Sequence, residues 1–277
     1  MGSGMAGRLL SAGFPLTVYN RTREKTQRFA EAGATVAKTP REAAAQADII
    51  ISMVADDTAS RTVWFGEDGA LAGAQRGSIL VESSTLSVKH VGELAAAATE
   101  KDCEFLDAPV TGTKPHAQSG QLLFLVGGST QTLATVRPVL QVMSRDIVHA
   151  GAIGSGALLK LINNFLCGVQ AASFAEANAL IEAGGLDREK ALSLLANGAP
   201  GSPLLKTLSA RASSAPASPD FMLRLMAKDL KYAIAEANRL GLSLRTATAA
   251  LGIFNGATEA GLGEQDFSAV IGSIVRR

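Results

Sequence analysis

At 277 residues, 47% hydrophobic and 18% charged, with a mean hydropathy of +0.19, the chain can bury one large core or two ordinary ones. A net charge of +1 without a long block of one sign argues against nucleic acid or an anionic membrane as a main partner. Cys103 and Cys167 sit in unrelated contexts, which excludes a disulfide framework and a CxxC metal site. The apolar runs, such as ADIIISMVA, are short of the ~20 residues that cross a bilayer, and no basic-then-apolar leader opens the chain, so a cytoplasmic protein with no metal and no membrane partner is expected.

The chain opens MGSGMAGRLLSAGFPLTVYNRT, in the order glycine turn, helix, strand. In a dinucleotide-binding unit this order follows a buried strand that carries the first two glycines of G-x-G-x-x-G. Gly2 then takes the place of the third glycine, and the amides of Gly2 and Ser3 at the helix start suit a pyrophosphate; plain helix packing explains the same glycines equally simply. Up to about His149, the strand-like segments LTVY, DIIISMV, SILVES, EFLDAPV, LLFLVGG and DIVHA alternate with helical stretches at 23–32, 57–64, 87–99 and 129–140. That alternation predicts a Rossmann-type α/β fold, a doubly wound and mostly parallel sheet. After Gly151 only helical periodicity remains, broken at Gly184-Gly185, at 198–203 and at 213–219. The expected domains are 1–152, nucleotide-binding, and 153–277, all-α, joined by a long interdomain helix over about 156–183.

Four stretches offer chemistry. At the end of LTVY, where a carboxylate would receive the ribose hydroxyls of NAD, stand Asn20, Arg21 and Thr22; a neutral residue followed by a cation suits an adenosine 2′-phosphate and favours NADPH, with NADH as the alternative. In GAIGSGALLKLINN, Lys160 and Asn164 stand four apart on one helix face, a pairing that can polarise a carbonyl or that reflects a lysine snorkelling at the helix flank. In LDAPVTGTKPHAQSG, the Thr111 hydroxyl and the amides around Gly112 and Thr113 can cradle a carboxylate, although an ordinary turn has the same composition. In FMLRLMAKDL, Lys228 and Asp229 read by default as a solvated ion pair. His90, His116 and His149 read as surface or turn residues.

In order and approximate spacing, MGSGMA, YNRT, ESSTLS, DAPVTGTKPHAQSG, GAIGSGALLKLINN and FMLRLMAKDLKYAIAEA resemble the β-hydroxyacid dehydrogenase family over essentially the whole chain. The resemblance is strongest to its glyoxylate/succinic semialdehyde reductase branch. It implies Lys160 as the catalytic acid and Asn164 as its companion, with Thr111, Gly112 and Thr113 holding the substrate carboxylate. Val54, Ala55 and Thr85 would lie along the cofactor, Lys228 would reach it, Phe221 would wall the substrate pocket, and Asp229 would support the arrangement. The implied reaction is hydride transfer from NADPH to a small aldehyde acid, or the reverse oxidation of a 3-hydroxy acid, in a homodimer or homotetramer. The resemblance also implies a preceding strand with the first two glycines, so the sequence as it stands is expected to lack its first strand and to bind cofactor weakly. Two further readings are a non-catalytic structural module and an imine reductase; the presence of Lys160 argues against both.

Overall fold

The computed structural model describes residues 1–214 and 216–274. They divide into two compact units, Met1–Lys160 and Leu161–Arg277. In the first, α1 (Gly2–Ser11), β1 (Thr17–Val18), α2 (Gln27–Glu31), β2 (Thr35–Val36), α3 (Pro40–Ala44) and β3 (Ile49–Ser52) lead into α4 (Asp57–Trp64), α5 (Ala70–Gly73), β4 (Ile79–Glu82) and α6 (Val88–Glu100). Then follow β5 (Glu104–Asp107), β6 (Val110–Thr111), α7 (Lys114–Ser119), β7 (Leu122–Gly127), α8 (Thr130–Gln141) and β8 (Ser144–Gly151). A single helix, α9 (Ser155–Ala183), runs through the division between the units. The second unit adds α10 (Arg188–Asn197), α11 (Pro203–Ser213), α12 (Leu223–Arg239) and α13 (Arg245–Ala257). Of the predicted break at 213–219, residue 215 lies outside the described residues.

The strands form two sheets. β1 and β2 pair in parallel as a sheet of their own, while the six-stranded sheet runs β3-β4-β5-β7-β6 with β8 also on β7. Pairing is parallel from β3 through β5 and between β7 and β8; β7 is antiparallel to β5 and β6. Side chains of a strand alternate between faces, and each face is covered by helices. Ile79, Val81 and Leu106 pack with Met5 and Leu9 of α1 and with Leu133, Val136 and Leu140 of α8. Leu80 and Phe105 pack on the opposite side with Trp64 of α4 and Val91 and Leu94 of α6. This is the doubly wound α/β arrangement that the alternating sequence pattern predicts.

The second unit is helical, and its core joins Phe174 of α9, Leu192 of α10, Leu208 of α11, Leu230 of α12 and Phe254 of α13. Its cap is tied down by Asp266, whose carboxylate takes Arg211 Nη1 at 2.8 Å and the Ser268 hydroxyl at 2.7 Å. At 29 residues α9 is about 43 Å long. By length and apolar composition alone it could cross a bilayer, which corrects the reading that every apolar run is too short. Its buried Lys160, Asn164 and Asn178 mark it as a helix packed within protein.

The start of α9 is fixed by one carboxylate. Asp107, wholly buried at the end of β5, accepts the N–H of Gly154 at 2.7 Å and of Ala157 at 2.8 Å, so it answers two amides at the helix N-terminus. Burial nevertheless pushes its carboxyl up from 3.8 to about 6, against the pull of these amides. Because the folded value is the higher one, the stability linked to this group is full below 3.8 and is lost as pH rises through about 6. Urea titrations at pH 7 and pH 5 are expected to show the protein gaining about 1 kcal/mol over an Asp107→Asn variant on acidification. A difference that does not change with pH would show an ordinary carboxyl at this position.

Candidate active site

The carboxyl ends of β3 and β4 bring together part of the residue set expected from sequence. Val54 and Ala55 follow β3 and Thr85 follows β4, all half-buried. The Val54 N–H donates to Ser84 Oγ at 2.7 Å, and the Ser83 N–H donates to the Ser52 carbonyl at 2.9 Å, so the two loops are joined directly. Gly2, at the start of α1, lies against Met53, the residue before Val54; a Cβ on Gly2 would stand 3.4 Å from Met53 Cβ, an ordinary contact. Close packing is required instead at Gly4, where a Cβ would come within 2.9 Å of Ala117 on α7. Ser3 is exposed, and its carbonyl accepts from Arg28 at 3.4 Å.

Asn20, Arg21 and Thr22 form an exposed turn after β1, in which Asn20 Oδ1 accepts the Thr22 N–H at 2.9 Å. That bond fixes Asn20 in an Asx turn and leaves Arg21 at its tip.

The stretch after Pro109 is more ordered than its Gly, Thr, Ser and Pro content suggests. Val110 and Thr111 form β6, antiparallel to β7, and 114–119 is a helix. Gly112 has φ +122°, and a Cβ there would meet His116 Cβ at 3.0 Å and Leu122 Cδ2 at 3.1 Å, so this position needs glycine. The Thr113 N–H donates to His116 Nδ1 at 3.1 Å. An anion that uses the Thr113 amide must therefore displace His116.

On α9, Lys160 is 8% exposed and Asn164 6%. A flank lysine snorkelling to solvent does not fit that burial. Asn164 Nδ2 donates to Asp229 Oδ2 at 2.5 Å, and Asn164 Oδ1 accepts from Asn163 Nδ2 at 2.9 Å. Asp229 is wholly buried, with the Lys228 ammonium 3.1 Å from its other oxygen. The solvated-pair reading of Lys228 and Asp229 is thus corrected, since their exposures are 15% and 0%. Lys228 also stands 5.1 Å over the Tyr232 ring. Phe221 packs edge-on to Phe267 at 6.0 Å, and its N–H faces Asp266.

Sequence reasoning missed two buried acids and a histidine. Asp107 and Glu82 each end an apolar strand, and both are almost fully enclosed. Glu82 accepts from Ser60 Oγ at 2.8 Å, Trp64 Nε1 at 2.7 Å and the Ser84 N–H at 2.9 Å. His90, expected at the surface, is 2% exposed within α6, with Nε2 3.1 Å from Ser60 Oγ. The available signal was its place four residues before Leu94 and eight before Ala98, on the buried face of α6.

A dinucleotide fits the chemistry of the first unit's sheet edge. The hydroxyls of Ser52 and Ser83, at the carboxyl ends of β3 and β4, are buried without a partner among the described residues. The first turn of α1 holds no acidic residue of its own to compete for its amides. Gly2, Ser3, Val54, Ala55 and Thr85 are the residues there that could hold the cofactor.

Two family models cover the chain: the NAD binding domain of 6-phosphogluconate dehydrogenase matches residues 1–151, and the NAD-binding domain of NADP-dependent 3-hydroxyisobutyrate dehydrogenase matches 154–274. The chain is 35% identical over 277 residues to the NAD-dependent L-serine dehydrogenase of Pseudomonas aeruginosa, covering 98% of this chain and 93% of that one. It is 34% identical over 273 residues to glyoxylate/succinic semialdehyde reductase 2 of Arabidopsis thaliana, covering 98% and 76%. The solved structure of Mycobacterium tuberculosis 3-hydroxyisobutyrate dehydrogenase with L-serine is similar at TM-score 0.88 and 31% identity, covering 99% of this chain and 95% of that one.

Proposed function

From the premise that this chain belongs to the β-hydroxyacid dehydrogenase family and is an NAD(P)-dependent dehydrogenase or reductase, we propose that it reduces a small aldehyde acid of the glyoxylate or succinic semialdehyde type, with Lys160 as acid and NADPH as the preferred cofactor. The observation that carries this reading is the burial of Lys160 in the second turn of a helix whose first amides are held by Asp107. A lysine held this far from solvent is unusual at a plain helix flank, and ionisable groups enclosed in this way cluster at functional sites, which supports an acid/base role.

When bound, the reduced nicotinamide supplies the hydride to the carbonyl carbon. Lys160 gives its proton to the oxygen as that oxygen gains charge, and in the oxidative direction the neutral amine takes the proton back. Asn164 is oriented by Asp229, which accepts from its amide and so leaves Asn164 Oδ1 directed by Asn163. Thr111 and Gly112 receive the carboxylate, Thr113 joins them when His116 yields its amide, and Phe221 excludes water beside the substrate carbon. The similarity to the Arabidopsis reductase supports an aldehyde acid as substrate; the similarity to the Pseudomonas L-serine dehydrogenase supports the oxidative reading with a 3-hydroxy acid.

Lys160→Ala is expected to lower kcat by about a hundred- to ten-thousandfold with glyoxylate or succinic semialdehyde, while NADPH binding followed by fluorescence stays within about twofold. Retention of kcat in that variant would remove Lys160 from the reaction. For the cofactor, Arg21→Ala is expected to weaken NADPH about ten- to hundredfold, the loss of a charge-assisted bond, and to leave NADH unchanged. Equal effects on both cofactors would put Arg21 away from the 2′-phosphate.

The same reading includes a homo-oligomer. Leu159, Ile162, Leu166 and Leu180 are exposed on α9, Leu180 by 73%. At 3.6 residues per turn they fall within a sector of about 60°, an apolar face interrupted by the exposed Ser173 and suited to a second copy of the chain. Light scattering should give a multiple of the 28.5 kDa chain mass, and an Ile162→Glu, Leu166→Glu variant should run as the monomer; a wild-type monomer would end this part of the reading.

A further inference from the structure

We infer that Glu82 is a positioning residue for cofactor binding, acting through a buried hydrogen-bonded chain that fixes the loops after β3 and β4. This rests on the reading of Val54, Ala55 and Thr85 as cofactor-facing. Glu82 is 1% exposed, and its two carboxylate oxygens face in different directions. One takes the Ser60 hydroxyl and the Trp64 indole N–H from α4. The other takes the Ser84 N–H, and Ser84 Oγ in turn accepts the Val54 N–H. A single carboxylate thereby sets the backbone of both loops from beneath, without touching the edge itself.

The chain has a defined direction. Ser60 gives its proton to Glu82, so the Ser60 lone pair faces His90 Nε2 at 3.1 Å, which must then carry the hydrogen. His90 Nδ1 is left as acceptor for Arg61 Nη2 at 3.3 Å. Arg61 pairs with Glu93 at the surface. From Arg61 through His90, Ser60, Glu82 and Ser84 to the Val54 amide each link pairs a donor with an acceptor, while the Glu93 carboxylate also stands 3.5 Å from His90 Nδ1; a buried network linked in this way specifies one loop geometry. A second tie runs in parallel, since the Ser87 N–H and hydroxyl donate to the Asp57 carboxylate at 2.9 and 2.7 Å. That tie holds the helix starts of α4 and α6, whereas Glu82 holds the residues before them.

A glutamine at position 82 has one acceptor oxygen for three donors, so either the Ser84 N–H or the Trp64 and Ser60 pair loses its partner and meets an N–H instead. In the 277-residue chain, Glu82→Gln is expected to raise the NADPH Kd about tenfold, and Ser84→Ala, which frees only the Val54 amide, about threefold. At saturating NADPH, kcat and the aldehyde KM should stay within about twofold of the parent in both. Ala55→Arg, placed on the loop itself, serves as the control and should weaken NADPH strongly. If Ala55→Arg leaves NADPH binding intact, the loops do not face the cofactor and the inference falls with that reading. If Ala55→Arg weakens binding but the Glu82 and Ser84 variants lower only the melting temperature, the network is structural and this inference alone is overturned. Should Glu82→Gln fail to fold, the Ser84→Ala measurement decides the matter by the same criterion.

Discussion

The bond between a strand-end carboxylate and the first turn of α9 is the constraint on which the rest is built. Asp107 joins β5, in the middle of the six-stranded sheet, to the helix that carries Lys160. Three glycines make room for it. A Cβ on Gly127 would stand 2.4 Å from one Asp107 oxygen, and one on Gly156 would stand 2.9 Å from the other and 2.3 Å from the Leu125 carbonyl. Gly154, which donates the shorter bond, has φ +89°, a conformation that disfavours side chains. Two opposing effects meet at this carboxylate: the helix amides favour its charge, and enclosure disfavours it. The upward displacement to about 6 shows that enclosure wins.

Asp107 is one of four buried acids here that fix their surroundings, three of them through backbone amides and Asp229 through the Asn164 side chain. Glu82 sets the loops after β3 and β4, Asp229 orients Asn164, and Asp266 takes the amides of Asp220 and Phe221 as well as Arg211. These differ in kind from the surface pairs. Arg76 and Asp102, at 3.7 Å with side chains 82% and 63% exposed, form a pair of the sort that contributes about 0 to 1 kcal/mol. A buried acid that loses its donors leaves unsatisfied atoms costing about 1 to 3 kcal/mol each, so the fold depends far more on the enclosed four. Their common property is location: each stands within or beside a segment that holds a candidate site residue.

The sheet was legible in the sequence because its strands are short apolar runs between breakers, and the helices over 57–64 and 88–100 because their apolar positions recur at helical spacing. The start of the long helix was legible from Gly154 and Gly156. What escaped was pairing at a distance. Composition cannot show that His116 caps the Thr113 amide, nor that Val110 and Thr111 bond to Phe124 and Leu123. Asp229 carried a usable signal that a simple charge-pair reading overrode. It lies three residues after Met226 and four before Ala233, both buried, and therefore on the apolar face of α12. Lys228, one position earlier, is turned about 100° away from it along the helix, and so keeps a share of solvent.

The loop at 111–113 shows how local order narrows the chemistry open to a site. With φ +122° and no space for a Cβ, Gly112 leaves its backbone uncovered where any other residue would screen it with a side chain. The next amide is closed by His116, whose Nδ1 lies 3.1 Å from the Thr113 nitrogen and 2.8 Å from its hydroxyl. Accepting that N–H requires an unprotonated Nδ1, which places the ring hydrogen of the neutral imidazole on Nε2. An anion arriving at Thr113 thus meets an amide with an internal acceptor already in place, and must bind well enough to replace it. A ligand that set one oxygen on Thr113 and a second on the uncovered Gly112 backbone would compensate for the displaced imidazole better than one with a single acceptor.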